Sequence, residues 1–359
     1  MGILLALQVT VVSRCALLPQ QIRMRHFNLC FLGFGNVGRA LARLFLAKTE
    51  ELRRQYGIEW SLTGVATRRM GWLASPGGLD VTALLAGEPV SSLSQPTDVR
   101  EWLRAGRADV LFETTSLNPQ TGQPAIDYLR AALEAGAHAI TANKGPVVHA
   151  YRELSQLARA RGRRFMFESA ALDCLPIFSL FRETLPSARL YGFHGLFNST
   201  TTIILEEIEA GRTFDEGVKK AQVLGVTETD PRYDTDGWDA AVKVCALARV
   251  LLNSSIKLEE IEREGISALS VEAVWAARAA GKPLRLVSRA KVADDGRVIA
   301  SVRPERIAPG DPLGSVGGTS LIIHFELDVL PGLTLAAHHP NNLSTAYGMW
   351  ADFINAVRD

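Results

Sequence analysis

The run Gly33-Phe34-Gly35-Asn36-Val37-Gly38 follows directly on the apolar stretch His26–Leu32. It opens a segment in which Val37, Ala40, Leu41, Leu44 and Phe45 recur at helical spacing. Gly33 permits a tight turn, Gly35 lets the backbone approach a pyrophosphate, and Gly38 lets helix and strand pack closely. Alone, G-x-G-x-x-G also fits a ligand-free glycine-rich turn. A strand before it and a helix after it are the context in which the first N–H groups of the helix hold phosphates. The helix is expected to run to about Gln55 and to end at Gly57, with Trp60–Thr67 as the next strand, completing a βαβ unit.

The alternation continues. Ala108–Glu113, Ala137–Ala142 and Arg164–Glu168 read as strands, and Ala125–Ala135 and roughly Ala150–Arg161 as helices. This predicts a doubly wound, Rossmann-type α/β domain. After Glu168 the pattern changes: a strand at Leu190–Phe197, helices at Thr200–Ala210, Phe214–Leu224 and Trp238–Leu252, then strands near Leu284–Ala290, Val298–Val302 and Leu321–Leu327. An α+β catalytic and dimerisation domain with a mixed sheet is expected there. The last helix, Ser344–Val357, is expected to return to the first domain. The domains are thus 25–167 with 341–359, and 168–340. Residues 1–24 read as an extension, with Met24 as an alternative start; Gly2–Val12 is apolar but too short to span a membrane.

The chain carries 39 basic and 38 acidic residues, so no charge surplus points to nucleic acid. Cys15, Cys30, Cys174 and Cys245 form neither a CxxC pair nor a metal-ligand spacing, which suits a reducing, cytoplasmic compartment. Cys30 and Cys245 lie in apolar runs and are expected in the core.

The end of the second strand bears on the nucleotide. An NAD site usually has an acid there for the ribose 2′-OH, whereas this chain has Ala66-Thr67-Arg68-Arg69. Two guanidinium groups suit a 2′-phosphate, so NADP is favoured, with NAD open. Solvent-facing charge is the plainer account of the same arginines.

The densest polar cluster runs from Thr227 to Asp239 and is followed by Lys243. Asp239 and Lys243, at i and i+4, share a helix face flanked by apolar residues. Either they form an exposed helix pair, or Lys243 is desolvated enough for its pKa to fall toward an acid/base value. Glu228 and Asp234 could hold a substrate ammonium or belong to a solvated turn. Lys144 follows a strand end, as do Thr114 and Thr115, and carboxyl ends of strands face the ligand crevice in such sheets.

Taken together, GFGNVG (33–38), TANK (141–144), the run Phe197–Leu205 and AQVLGVTETDPRYDTDGWDAAVKV (221–244) resemble the homoserine dehydrogenase family, in its short form without kinase or regulatory domain. The resemblance covers about 26–355. It implies reversible NAD(P)H-dependent reduction of L-aspartate 4-semialdehyde to L-homoserine, in threonine and methionine biosynthesis, by a homodimer whose dimerisation segment follows about Ser288. It implies Lys243 and Lys144 as proton-transfer lysines, Asp239 as their positioning residue and a substrate contact, and Glu228, Asp234 and Lys144 as amino-acid contacts. Thr115 falls near the nicotinamide. A sodium or potassium ion is implied near Glu168, Ala171 and Asp173, held partly by main-chain carbonyls.

Three segments depart from the family pattern. Ala171-Leu172-Asp173-Cys174-Leu175-Pro176 lacks the usual glycines, Asn198-Ser199-Thr200-Thr201-Thr202 replaces N-G-T-T-N, and His338-His339-Pro340-Asn341-Asn342 replaces a glycine-rich loop. These leave two further readings open: a homologue acting on another small amino or hydroxy acid, and a non-catalytic NADP-binding sensor.

Overall fold

The computed structural model of the protein describes residues 23–89, 96–227 and 230–358. Glu228 lies outside them, as do Cys15 and nearly all of the extension.

The first sheet contains β1 (Arg25–Leu32), β2 (Ile58–Thr67), β3 (Gly71–Ala74), β4 (Val110–Glu113), β5 (His138–Thr141) and β6 (Phe165–Met166), in the order β3-β2-β1-β4-β5-β6. All neighbours are parallel except β2 and β3. The strand order reverses between β1 and β4, and a ligand crevice forms at the carboxyl ends of such a pair. The last four residues of β1 and all four of β4 are buried, as strands covered on both faces must be.

The second sheet contains β7 (Leu190–Leu196), β8 (Glu262–Arg263), β9 (Leu284–Val292), β10 (Val298–Arg306), β11 (Leu321–Leu327) and β12 (Leu333–Ala337), ordered β12-β11-β7-β9-β10-β8. It is antiparallel apart from β10 with β8. Helices Ser199–Glu209, Trp238–Leu251 and Val271–Ala279 pack on one face. The other face holds a small cluster of Leu196, Val287, Ile307, Leu313, Val316 and Ile322, and Ile299 of β10 is exposed.

One apolar core runs from β4 and β5 through Phe167 and Phe178 to Phe193 and Phe325, joining the two sheets. A second core lies on the opposite side of the first sheet. There Phe45 meets Phe112 at 5.7 Å and Phe353 at 5.3 Å, and Phe27 meets Phe353 at 5.9 Å. The final helix, Asn342–Val357, thus returns to the first sheet as expected, and it brings buried Asp352, which accepts the amide of Glu168 at 2.8 Å.

Several expectations need correction. The helix expected from about Ala150 starts at Lys144, capped by Asn143, and bends at Ala150. Gly145-Pro146 reads as a turn, but in a first helical turn a proline gives up no needed N–H. The helix from Asn36 stops at Ala47, and a separate turn with five-residue hydrogen bonding covers Leu52–Tyr56 before Gly57. The strand expected over Arg164–Glu168 shrinks to Phe165–Met166, and Glu168 opens a 3-10 turn. The loop 225–237 contains a helical turn, Arg232–Thr235.

Candidate active site

The glycine loop turns where its sequence requires. Gly33 has φ +98°, and a Cβ there would lie 2.5 Å from Thr114 Oγ1. A Cβ on Gly38 would lie 2.6 Å from the Gly33 carbonyl oxygen, so helix and loop touch at van der Waals limit. Gly35 faces open space, and the helix that starts at Asn36 has no side-chain cap. Its first amides are therefore available to an anion, which is the fit a dinucleotide pyrophosphate needs. Phe34 is buried against the second core and offers only its backbone; Asn36 is exposed and Val37 half-buried.

Beside the loop, Gly33 N–H donates to Ala66 of β2, and Arg68 and Arg69 follow as exposed residues of the β2–β3 turn. On its other side lies the end of β4. Thr114 Oγ1 donates to the Gly33 carbonyl at 3.1 Å, and Asn143 Nδ2 donates to the Thr115 carbonyl at 3.4 Å. Asn143 Oδ1 in turn accepts the amide of Gly145 at 3.0 Å and so caps the helix whose first residue is Lys144. The loop, the end of β4 and the end of β5 therefore form one continuous edge.

Lys144 reaches from that edge to the second unit. Its Nζ lies 3.4 Å from Asp239 Oδ1, while Lys243 Nζ lies 2.8 Å from Asp239 Oδ2. One carboxylate is bracketed by two ammonium groups that are far apart in sequence. Lys243 also donates to the Phe197 carbonyl at 2.6 Å, and Asn198 Nδ2 donates to Asp239 at 3.1 Å and to Asp234 at 2.7 Å. Asn198 caps the helix Ser199–Glu209 through the Thr201 amide, which fixes its side chain.

The electrostatics correct one expectation. Burial by itself lowers the pKa of Lys243, but the Asp239 carboxylate outweighs it, with Asp173 and Asp234 adding to the effect, and the lysine is held above its ordinary value. It is a firmly protonated ammonium, not the depressed lysine that its apolar flanks suggested. Burial pushes Asp239 up, but Lys243 and Lys144 override this and hold it well below the usual carboxylate range.

Asp234 is drawn into the framework. It accepts from Asn198, from Thr200 Oγ1 at 3.1 Å and from Thr227 Oγ1 at 2.8 Å, and burial raises its pKa. Next to it the buried hydroxyl of Tyr233 finds no hydrogen-bond partner among the described residues. Thr115, expected at the nicotinamide, gives its hydroxyl to Glu113.

The implied cation residues do not form a side-chain ligand set. The carboxylate of Glu168 accepts the amides of Phe178 and Ser179 at 2.7 and 2.8 Å, and Ala171 offers only its carbonyl. Asp173, in a left-handed conformation at φ +55°, accepts the hydroxyls of Ser344 and Thr345. Among the described residues no group of three His, Cys, Asp or Glu side chains is arranged for a metal. Cys30 and Cys245 are core residues, as expected; Cys174 is half-buried with its thiol pKa raised by burial, the reverse of an activated nucleophile.

Asn198 and Glu113 carry more of this site than their sequence context suggests. The sequence signal for Asn198 is its place in the run Asn198–Thr202, which departs from the family pattern without indicating a bridge. For Glu113 it is an acid at the end of an apolar strand.

A family model described as "Homoserine dehydrogenase, NAD binding domain" matches residues 33–168, and one described as "Homoserine dehydrogenase" matches 176–354. An NAD(+)-dependent homoserine dehydrogenase of Pseudomonas canavaninivorans is 31% identical, over 92% of this chain and 96% of its own. A solved structure of a putative homoserine dehydrogenase from Archaeoglobus fulgidus covers 94% of this chain and 100% of its own, with TM-score 0.81 and 27% identity. A hyperthermophilic archaeal homoserine dehydrogenase mutant, solved in complex with NADPH, covers 92% and 98%, with TM-score 0.77 and 26% identity.

Proposed function

The chain belongs to the homoserine dehydrogenase family and carries out the reversible NAD(P)-dependent reduction of L-aspartate 4-semialdehyde to L-homoserine; we propose that Lys243 and Lys144 manage the proton and that NADP(H) is the preferred nucleotide. Bound nicotinamide supplies or removes the hydride at the carbon that is carbonyl in one compound and carbinol in the other. Lys243 gives a proton to the substrate oxygen as negative charge develops there. Asp239 keeps Lys243 charged and orients both lysines, and the Phe197 carbonyl fixes a second hydrogen of Lys243. The Asp234 framework takes the substrate ammonium, and Glu228, outside the described residues, is proposed as a further contact to it. The observation that carries it is the pair of ammonium groups on one carboxylate at the edge that continues into the glycine loop.

The nucleotide preference rests on Arg68 and Arg69, exposed where β2 ends beside Gly33, with no acid at that strand end. One relative is NAD(+)-dependent and one solved relative holds NADPH, so the family accepts both. Steady-state oxidation of L-homoserine with each nucleotide tests the proposal. KM for NADP should be the lower, and the double change Arg68→Ala, Arg69→Ala should raise it at least about tenfold while leaving NAD kinetics alone, since a charge-assisted hydrogen bond contributes about 1.5–3 kcal/mol. A strong wild-type preference for NAD defeats the assignment.

The nucleotide unit comprises 25–167 and 341–359, and the substrate unit 168–340. The face of the second sheet opposite the helices Ser199–Glu209 and Trp238–Leu251, together with exposed Ile299, supports a homodimer built on the strands after Ser288. Light scattering should give about twice the 39.1 kDa chain mass; a monomer across micromolar concentrations contradicts it. A cytoplasmic setting is supported by the free Cys30, Cys174 and Cys245. Among the described residues no helix is long and apolar enough to cross a membrane.

A further inference from the structure

Glu113 ends β4 at the point where the sheet order reverses, and it is fully buried. A buried carboxylate persists only where donors compensate for its lost hydration. Here the donors come from two different strand ends. Oε1 accepts the Thr115 amide at 2.7 Å and the Thr115 hydroxyl at 2.5 Å, and Oε2 accepts the Thr141 hydroxyl at 2.5 Å. The Thr141 hydroxyl is the donor to the carboxylate, which as an anion can only accept, while its oxygen accepts the Asn143 amide at 2.9 Å. Asn143 then joins both sides: its Nδ2 returns to the Thr115 carbonyl and its Oδ1 caps the helix that begins with Lys144. From Glu113 the bonds run one way through Thr115, adjoining Thr114 on the Gly33 carbonyl, and the other way through Thr141 and Asn143 to the start of the Lys144 helix.

We propose that Glu113 is a positioning residue for the reaction: its carboxylate locks the β4 end, which walls the dinucleotide site, in register with the β5 end, which presents Lys144 to Asp239. The inference rests on the catalytic role given to the Lys144–Asp239–Lys243 cluster. Burial raises the pKa of Glu113, while the Thr115 and Thr141 bonds act against it. Those bonds use acceptor oxygens on both arms, and the Thr115 amide cannot reverse its role. Glutamine supplies one acceptor oxygen in place of two, so on one arm a charge-assisted bond to a carboxylate is exchanged for a weaker neutral one, with little change in volume. The glycine loop has its own turn geometry and does not depend on this bridge for its phosphate-facing amides.

The test compares Glu113→Gln, Thr141→Val and the double variant with wild type, reading kcat and KM for L-homoserine, Kd for NADPH, and Tm. A displacement of Lys144 on the order of an ångström should lower kcat/KM for homoserine by about tenfold to a hundredfold in Glu113→Gln. Thr141→Val should act in the same direction, and NADPH Kd should stay within about twofold. The double variant should be no worse than the poorer single, because both changes cut one connection. Wild-type kcat/KM in Glu113→Gln overturns the proposal, as do losses that multiply in the double variant, or a lower Tm with unchanged kcat and KM. Should Glu113→Gln not fold, Thr141→Val with wild-type kcat/KM overturns it alone. Lys243→Met measured alongside separates the two levels: if that variant stays active, the reading of the cluster fails, whereas an inactive Lys243→Met beside a wild-type-like Glu113→Gln removes only the role of Glu113.

Discussion

Lys243→Met should lower kcat for homoserine oxidation by about a thousandfold, within the range lost when a positioned proton-transfer group is removed. NADPH affinity should stay within two- to threefold on a fluorescence titration, because the glycine loop and the Gly33–Thr114 contact lie on the other side of the cleft. Methionine keeps much of the length and apolar stem of lysine, and Lys144 still neutralises Asp239. The loss therefore reports the missing proton carrier and not a collapsed site. The raised pKa of Lys243 gives the reaction a direction-dependent pH profile. Reduction uses the ammonium, which persists through neutral pH. Oxidation needs the free amine to accept a proton, so its rate should climb with alkalinity, and that limb should vanish in the variant. A kcat within tenfold of wild type would remove Lys243 from the chemistry.

Asp239→Asn should be the most damaging single change to stability. It leaves two ammonium groups, of 12% and 22% side-chain exposure, facing a neutral amide. Removing one partner of a buried charge pair costs about 3–5 kcal/mol; the residual exposure of Lys144 puts the expectation at the lower end. The sign with pH is fixed by the depressed folded-state pKa of Asp239. Its contribution is complete above the unfolded-state value near about 3.9 and is lost as pH falls through the lower folded value. Urea denaturation should therefore show a gap between wild type and variant that is constant from neutral pH to about 5 and narrows below about 4. A gap that grows on acidification, or none at pH 7, contradicts the bracketed-carboxylate account.

What could be read from sequence was local. Gly33, Gly35 and Gly38 declared themselves by spacing between a strand and a helix, and the Asp239–Lys243 pair by the i, i+4 rule. Most strands and helices followed from periodicity, since burial on one or both faces dictates it. The missed elements are short: β3, β8, β12 and the helices Val81–Ala86 and Val99–Ala105 have too few residues for a period to stand out. The helix start at Lys144 was hidden by Gly145-Pro146, whose turn signal outweighed the cap of Asn143. The direction of the Lys243 shift was out of reach for a different reason. Apolar neighbours and an acidic partner act in opposite senses, and only the 2.8 Å contact decides between them. The same holds for Lys144, whose partner Asp239 is on another unit, and for Asn198, whose amide joins two acids brought together by folding.

The aromatic packing of Phe27 and Phe45 on Phe353 has a consequence for biogenesis. On the ribosome, the first strand and first helix emerge early, yet the side of the sheet they build is sealed by a helix synthesised after the entire second sheet. Until Met349, Phe353 and Ile354 arrive, Phe31, Phe45 and Phe112 have an open flank. The nucleotide half is therefore translated before the substrate half yet closed after it, and a nascent chain stalled before residue 342 would present that flank to chaperones or to other chains.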